Sequence, residues 1–328
     1  MTETLSKKKV HLVQVDYVRA FASLLVAIFH LGGKVVFPLS YGWLGVEMFF
    51  VLSGFIICWA LPSSYNYKDV PNFLAKRLIR IEPPYIFSIG CLLVLNYLTQ
   101  TNYKPDWINV GFHLAYINNF IGKSYLNPVY WTLGIEFQYY ILIALIFPLL
   151  LKDWGKWLII LLDLIPFIFP FPGELIFSVF PIFTFGIYAY YFLAKKISFN
   201  ELLAWLILNL VICYFQLGLL KTVVSLLSML VILLPIRYNK IVTFFSKISF
   251  SLYLTHDIFG SRLVICLDRF LPRTFFYRSL VFATGLMASI LIAFIFYKLV
   301  EVPFLKLSKR ISYKPKPEPI VSDFSSIS

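Results

Sequence analysis

Long apolar runs separated by short polar segments occupy most of the chain. Each run holds the roughly 20 apolar residues with which an α-helix crosses a bilayer. Ten runs fit this length: 12–36, 42–61, 81–99, 132–151, 157–171, 174–194, 201–217, 219–236, 246–267 and 276–302. Only the stretch "FPFPGE" separates the fifth run from the sixth, so these two could also form one broken element. The pattern predicts an all-α membrane protein, a polytopic bundle of about ten transmembrane helices.

The composition supports this class. Of the 328 residues, 60% are hydrophobic and 14% are charged, and the mean hydropathy is +0.81, well outside the range of a soluble domain. The loops between the runs are too short for a folded soluble domain, so any chemistry must take place in the membrane. We expect residues 1–311 to form one transmembrane domain, followed by a disordered cytoplasmic tail, residues 312–328.

The basic residues indicate how the chain is oriented. A formal net charge of +13 could suggest a nucleic-acid partner, but lysines and arginines concentrate in alternate short loops, which favours membrane orientation instead. With both termini in the cytoplasm, the cytoplasmic loops collect most of these residues, at 7–9, 68–80, 152–156, 195–196, 237–247 and 306–316. We therefore predict both termini to be cytoplasmic and no nucleic-acid partner.

The first apolar run contains Arg19 and His30. Ionisable side chains inside a span are costly, and they usually face the interior of a bundle or a wet cavity. Eleven residues apart on a helix, the two differ by about 20° in direction and about 16 Å in depth. They therefore share one face, and a functional role is favoured over simple helix contacts. Asp16 could neutralise Arg19 from three residues away.

Arg19 is expected toward the cytoplasmic end of its span, whereas other polar residues are expected nearer the outer surface. His30, Glu136 and Glu47 are each expected near the outer surface, whereas His256 is expected nearer mid-membrane. His30 and Glu136 are therefore expected to meet, which would make His30 a general base oriented by a carboxylate. The alternative is a structural hydrogen bond between helices. For His256 the two interpretations are equally favoured.

Arg77 and Arg80 lie one helical turn apart in "FLAKRLIRIEPPY", where the third run leaves the cytoplasm. This is a suitable place for anionic phosphates. Ordinary positive-inside anchoring explains the same residues, and the spacing does not choose between the two.

Two further features carry weaker signals. The four cysteines lie in apolar runs without metal-ligand spacing, so we predict packing roles, no disulfide and no metal site. The connection from Thr99 to Trp131 is rich in Asn, Tyr and Trp; it could bind sugar, but an interfacial position is slightly favoured.

Six stretches in order along the chain resemble the acyltransferase-3 family of integral membrane acyltransferases. They are "LVQVDYVRAFASLLVAIFH", "GWLGVEMFFVLSGFII", "RLIRIEPPYIF", "NPVYWTLGIEFQYY", "ISFSLYLTHDIF" and "LVEVPF". The resemblance implies a ten-helix bundle in the bacterial inner membrane that transfers an acetyl group from cytoplasmic acetyl-CoA to a hydroxyl of an extracytoplasmic surface sugar. O-antigen, exopolysaccharide or a lipid-linked precursor would be the acceptor, as for members without an additional hydrolase-like domain.

The resemblance also assigns roles to residues. Arg19 and His30 match the family's Arg-x10-His pair, Arg77 and Arg80 match its basic motif, and Glu136 matches the acidic residue of its Trp-Ser-Leu-x-x-Glu motif. The implied sets are catalytic His30, Glu136 and Arg19; CoA-binding Arg77, Arg80 and Arg19; and substrate-binding Glu47, Trp131 and His256. Two positions depart mildly from the family pattern: Thr132 replaces a serine, and Phe250 stands where tyrosine is frequent.

Several alternatives stay open at the level of sequence. His30 could remove the proton of the sugar hydroxyl directly, or it could carry the acyl group covalently before the sugar receives it. The acyl group could be succinyl or another short chain. A transporter of a sugar-linked lipid would also place polar residues in a column through the bilayer, although no internal repeat supports this.

Overall fold

The computed structural model describes residues 12–169 and 175–312. This part of the chain is all-helical, without a β-strand, as the apolar pattern predicts. Its α-helices, numbered in chain order, are α1 (Val13–His30), α2 (Gly45–Ala60), α3 (Val70–Thr99), α4 (Trp107–Leu114), α5 (Asn118–Ile121), α6 (Trp131–Leu150), α7 (Gly155–Ile168), α8 (Ile176–Leu193), α9 (Phe199–Leu217), α10 (Leu219–Leu233), α11 (Lys240–Thr255), α12 (Arg262–Asp268), α13 (Phe275–Phe296) and α14 (Val302–Ser308).

Each predicted apolar run corresponds to a helix, but fewer than ten are long and apolar enough to cross a membrane. Among the described residues, seven helical stretches qualify: Val13–His30, Leu39–Ala60, Tyr67–Thr99, Trp131–Leu150, Ile176–Leu193, Phe199–Leu217 and Phe275–Ser308. The runs at α7 and α10 form helices of 14 and 15 residues, which at 1.5 Å per residue are shorter than the hydrocarbon core of a typical bilayer. The run at α11 forms a helix of 16 residues that continues beyond Thr255 through a π-helical segment, and it is not among these seven stretches.

Contacts between helix ends give the relative direction of two helix pairs. Lys221 at the start of α10 contacts Glu47 at the start of α2, so these two run parallel. Ser88, late in α3, hydrogen-bonds Tyr130 at the start of α6, so this pair is antiparallel. Thr184 of α8 donates to Asp163 of α7 across a helical hairpin, which makes the fifth and sixth runs two separate elements.

The third helix starts earlier than the sequence suggested. The prediction placed the span at 81–99, whereas α3 begins at Val70 and continues through Pro83 and Pro84. The basic residues before residue 81 resemble a loop in composition, yet they occupy the first turns of the helix. Arg77 and Arg80 are consequently held on a rigid helix.

Two glycines bring α2 and α8 into close contact at the centre of the bundle. A Cβ on Gly54 would collide with the carbonyl oxygen of Phe183, and one on Gly186 would collide with that of Val51. Around them, the Phe183 ring stacks on Phe50 at 4.9 Å and on Tyr139 at 4.3 Å between ring centroids. This pair of helices forms the dense core against which the other elements pack.

Two long helices contain π-helical segments, in which the hydrogen bonds skip one additional residue. The segment His256–Ser261 continues α11 into α12, and Tyr297–Glu301 continues α13 into α14. Each segment carries residues of the candidate site described below, which agrees with the frequent occurrence of π-bulges at functional sites.

The connection between α3 and α6 folds around His113. Its Nδ1 bonds the carbonyl oxygen of Asn109 at 2.7 Å, and its Nε2 accepts the backbone N–H of Leu126 at 2.9 Å. Asn118 donates to the side chain of Asn109 at 2.8 Å. This polar network outside the membrane-spanning stretches holds the connection in a defined shape. The predicted disordered tail, apart from Ser312, lies outside the described residues.

Candidate active site

A cavity of about 240 Å³ opens between α1, α2, α3, α6, α11, the π-helical segment Tyr297–Glu301 and α14. Arg19, Arg77 and Arg80 all line it, so the three arginines that the resemblance assigned to CoA are brought together. Lys247 of α11 adds a fourth cationic side chain to the same wall. The cavity can therefore hold an anionic group against several positive charges at once.

Three carboxylates stand among these cations. Asp16 accepts hydrogen bonds from Ser246 at 2.7 Å and from Thr243 at 3.3 Å, and it is buried. Glu301, in the second π-helical segment, accepts from Ser251 at 2.6 Å. The third carboxylate, Glu136, accepts from Ser53 at 3.1 Å and from the Tyr140 hydroxyl. The carboxylates are thus tied to neighbouring hydroxyl groups, and they offset the arginine charge only in part.

Arg77 is buried beside two aromatic rings that pack edge-to-face on each other. The carbon of its guanidinium group lies 5.4 Å from the centroid of Phe73 and 5.9 Å from that of Tyr140. Rings at these distances attract a cation, and the planar guanidinium group suits this arrangement better than an ammonium group does. The stacking fixes the direction of Arg77 within the cavity wall.

His30 lies elsewhere, at the C-terminal end of α1, and is not among the residues that line the cavity. Its Nδ1 is 3.6 Å from Oδ1 of Asp257, and its ring centroid is 5.3 Å from that of His256. The expectation that His30 meets Glu136 is therefore wrong. Glu136 instead faces Ser53 on α2 and lines the cavity. The carboxylate beside His30 is Asp257.

His256 is completely buried beside His30. Its Nδ1 lies 2.8 Å from the carbonyl oxygen of Leu252, which can only accept, so the proton of the neutral ring sits on Nδ1. The other nitrogen, Nε2, is buried without a hydrogen-bond partner. A buried acceptor in this state favours a hydroxyl or water as an additional ligand.

Tyr253 connects this histidine pair with the cavity. Its ring lines the cavity, and its centroid lies 6.1 Å from that of His256 and 5.7 Å from that of Phe49. The hydroxyl donates to the carbonyl oxygen of Val129 at 2.9 Å and is 2.6 Å from the hydroxyl of Thr132. The ring therefore lies between the arginine-lined cavity and His256.

The remaining predicted site residues lie outside the cavity. Glu47 is buried and pairs with Lys221 at 3.4 Å, while one of its oxygens, Oε2, lacks a partner. Trp131, the first residue of α6, packs edge-to-face on Phe50 at 6.3 Å between centroids. Their predicted part in substrate binding stays a prediction.

Three charged residues of the site escaped sequence reasoning. Glu301 stands in the quoted stretch "LVEVPF", and Asp257 directly follows His256, so both were visible as ionisable residues in apolar surroundings. That criterion alone would have singled them out. Lys247 did not stand out as an ionisable residue inside a span, because the sequence analysis assigned it to the basic cytoplasmic segment 237–247.

The amino-acid sequence matches a known family model and is similar to several known proteins. Residues 12–298 match the family model of the acyltransferase-3 type, described as an acyltransferase domain. Over 152 residues the chain is 32% identical to ORF330 of Acidianus two-tailed virus, assigned as an acetyltransferase, covering 44% of this chain and 43% of that protein. Over 160 residues it is 31% identical to the O-acetyltransferase OatA of Staphylococcus aureus, covering 43% and 25% of the two chains.

A third relative is YrhL of Bacillus subtilis, assigned as a peptidoglycan O-acetyltransferase. The two are 31% identical over 144 residues, which cover 39% of this chain and 22% of YrhL. The chain thus spans less than half the length of the curated relatives it matches. No solved structure matches it.

Proposed function

Because the chain belongs to the acyltransferase-3 family, we propose that it is a multi-pass membrane O-acetyltransferase. The donor in this proposal is acetyl-CoA from the cytoplasm, and the acceptor is a hydroxyl of an extracytoplasmic glycan, either a finished surface polysaccharide such as O-antigen or a lipid-linked precursor. The membrane is the bacterial inner membrane. The acetyl group is preferred over succinyl because the relatives carry acetyltransferase names.

The observation that carries the proposal is the shared cavity of Arg19, Arg77 and Arg80. Guanidinium groups bind phosphate oxygens in pairs of charge-assisted hydrogen bonds, so the three suit the phosphates of CoA. In this proposal the nucleotide end of CoA stays at the arginines, and its thioester arm points toward Tyr253 and the histidines. Glu136 acts within the cavity by positioning the arginines and not by touching His30.

His30 carries the chemistry in the proposal. As a general base it takes the proton of the acceptor hydroxyl while the oxygen attacks the thioester carbonyl carbon. The carbon–sulfur bond then breaks, and the leaving thiolate takes a proton from the imidazolium group. In the covalent variant, His30 attacks the acyl carbon and the carbon–sulfur bond breaks, so that the thiolate of CoA leaves. The acceptor oxygen then attacks the same carbon, the bond to the imidazole breaks, and the hydroxyl proton passes to the thiolate.

Three residues would bind the acceptor. His256 is suited to accept a hydrogen bond from a sugar hydroxyl, since its Nε2 lacks a partner. Glu47 and Trp131 lie at the starts of α2 and α6, on the side of the bundle where α1 ends at His30. Carboxylates and aromatic rings there would supply further contacts to a saccharide.

The test is the mass of surface glycan repeat units from cells that express wild type or His30→Ala at matched membrane levels. We expect an acetyl-sized increment with wild type only. A succinyl-sized increment would change the donor and keep the reaction class. Unchanged glycan mass combined with an altered amount of glycan at the surface would replace the acyltransferase proposal with a transport function.

A further inference from the structure

We infer that Asp257 is the positioning residue of His30 in the acyl transfer, an inference that rests on the proposed function. Asp257 is the carboxylate that the structure brings to Nδ1 of His30, at 3.6 Å. A carboxylate at Nδ1 holds the N–H on that nitrogen and leaves Nε2 as the free base or nucleophile. Asp257 itself touches no reacting atom and acts only through the imidazole ring.

The first π-helical segment surrounds His30 on several sides. His256 packs against its ring, Asp257 faces its Nδ1, and Ser261 donates to its carbonyl oxygen at 3.5 Å. In a regular α-helix successive side chains point about 100° apart, and the wider π turn reduces this angle, so adjacent residues can face the same neighbour. The segment thereby directs both His256 and Asp257 to the end of α1.

The segment is held rigidly in that position. A Cβ on Gly260 would collide with Ser289 of α13 and would lie 2.8 Å from Cδ2 of Leu31, which directly follows His30. The nitrogen Nδ1 of His256 is bonded to Leu252, which anchors the segment to α11. A preorganised neighbour of this kind can orient a catalytic ring without paying for rearrangement during the reaction.

Asp257 and His30 are both partly buried, with side-chain exposures of 21% and 15%. A carboxylate in this position retains its charge more readily than a fully buried one would. When His30 gains a proton from the acceptor, the nearby negative charge stabilises the resulting imidazolium group. The separation of 3.6 Å is longer than a hydrogen bond and is expected to shorten when substrate binds.

The experiment measures transfer of labelled acetyl groups from acetyl-CoA to glycan in membranes that contain the full chain. It compares wild type with Asp257→Asn, Asp257→Glu and Asp268→Asn. The last variant removes an identical charge eleven residues later, at the end of α12, and serves as the matched control. Amounts in the membrane and thermal stability are recorded for each variant.

We expect Asp257→Asn to lower the maximal rate by about 100-fold, in the range of general-base effects, with the KM for acetyl-CoA changed by less than about twofold. Asp257→Glu should restore a large part of the rate, and Asp268→Asn should equal wild type.

A wild-type rate in Asp257→Asn would overturn the positioning role. So would an equal loss in Asp257→Asn and Asp257→Glu accompanied by lower stability, because that pattern indicates structural support only. Absence of transfer in wild type itself would overturn the proposed function, and the positioning role with it.

Discussion

At the scale of single residues, the environment of Arg77 shows how this fold keeps a cation in the interior of a bundle. The side chain is only 8% exposed, and its guanidinium group lies near the rings of Phe73 and Tyr140. A stacked guanidinium group loses less hydration free energy than an ammonium group would in the same place. Its planar shape, and not only its charge, is therefore matched to the site.

The first prediction follows from this match. Arg77→Lys keeps the charge but loses the stacking and the paired donors, so the KM for acetyl-CoA should rise about tenfold, equivalent to about 1.4 kcal/mol. Donor titration in membranes measures the effect. The matched control is Arg310→Lys, because Arg310 is exposed and lies outside the cavity. An unchanged KM in Arg77→Lys would contradict a role in donor binding.

The sequence predicts the cationic half of the site better than its acidic half. The family resemblance grouped Arg77 and Arg80, which lie one helical turn apart, with Arg19, and all three line the cavity. The partner of His30 could not be found in the same way. Depth in the membrane suggested Glu136, but depth says nothing about the direction in which a helix turns its side chains, and Asp257 occupies the place instead.

At the scale of helices, the contact of α2 with α8 depends on the absence of two side chains. Gly54 and Gly186 meet the partner backbone at Phe183 and Val51, as small residues do where helices approach closely in membranes. Any larger residue would force the two helices apart. Since α2 also carries Ser53, the partner of Glu136, such a displacement would reach the cavity.

We therefore predict that Gly186→Ala destabilises the protein by about 1–3 kcal/mol, the usual range for overpacking. Thermal unfolding in detergent, followed by the fraction that stays soluble, is the measurement. Gly90→Ala is the control, since Gly90 is exposed on α3 and a Cβ there meets nothing within 4 Å. Equal midpoints for Gly186→Ala and wild type would show that the two helices can separate without cost.

The segment between α3 and α6 supplies a pH-dependent prediction. Burial lowers the pKa of His113. In addition, Nε2 of His113 accepts the backbone N–H of Leu126, and it can do so only while the ring is neutral. In the unfolded segment, the imidazole of His113 binds a proton at its ordinary pKa near 6.5. In the folded segment it binds the proton only at a lower pH. The stability of the segment is therefore complete above that pH and decreases as the pH falls below it.

Hydrogen exchange of the amides in residues 107–126 checks this expectation. Exchange corrected for its intrinsic pH dependence should increase in wild type between pH 7.5 and pH 5. His113→Gln removes the titrating group, so the corrected exchange of that variant should change little over the same range. A wild-type segment with equal protection at both pH values would rule out His113 as the cause.

Helix boundaries were predictable where composition and structure change together, and less so elsewhere. The ends of α6 and α9 agree with the apolar runs within two residues, whereas the start of α3 was placed eleven residues too late because its first turns are basic. The π-helical segments leave no signature in the apolar pattern, since one inserted residue barely changes the mean hydropathy. They nevertheless decide where Asp257 and Glu301 point.

At the scale of the whole molecule, the site consists of two regions separated by the ring of Tyr253. The arginine-lined cavity lies on one side, and His256 with His30 lies on the other. A transferase that takes its donor from one face of a membrane and its acceptor from the other needs such a separation, because a continuous wet path would let water consume the thioester. Two hydrogen bonds, to Val129 and Thr132, hold the ring in place.

The prediction at this scale concerns leakage of the acyl group to water. Tyr253→Ala removes the ring and leaves a space next to polar groups, which water can fill because Thr132 and Nε2 of His256 offer partners there. Hydrolysis of acetyl-CoA in the absence of glycan should consequently rise several-fold, while transfer to glycan falls. Release of free CoA by the purified protein in liposomes measures the first effect.

Tyr253→Phe is the matched control: it keeps the ring and loses the hydroxyl, so hydrolysis should stay at the wild-type rate. If Tyr253→Ala also hydrolyses acetyl-CoA no faster than wild type, water is excluded from His30 by something other than this ring.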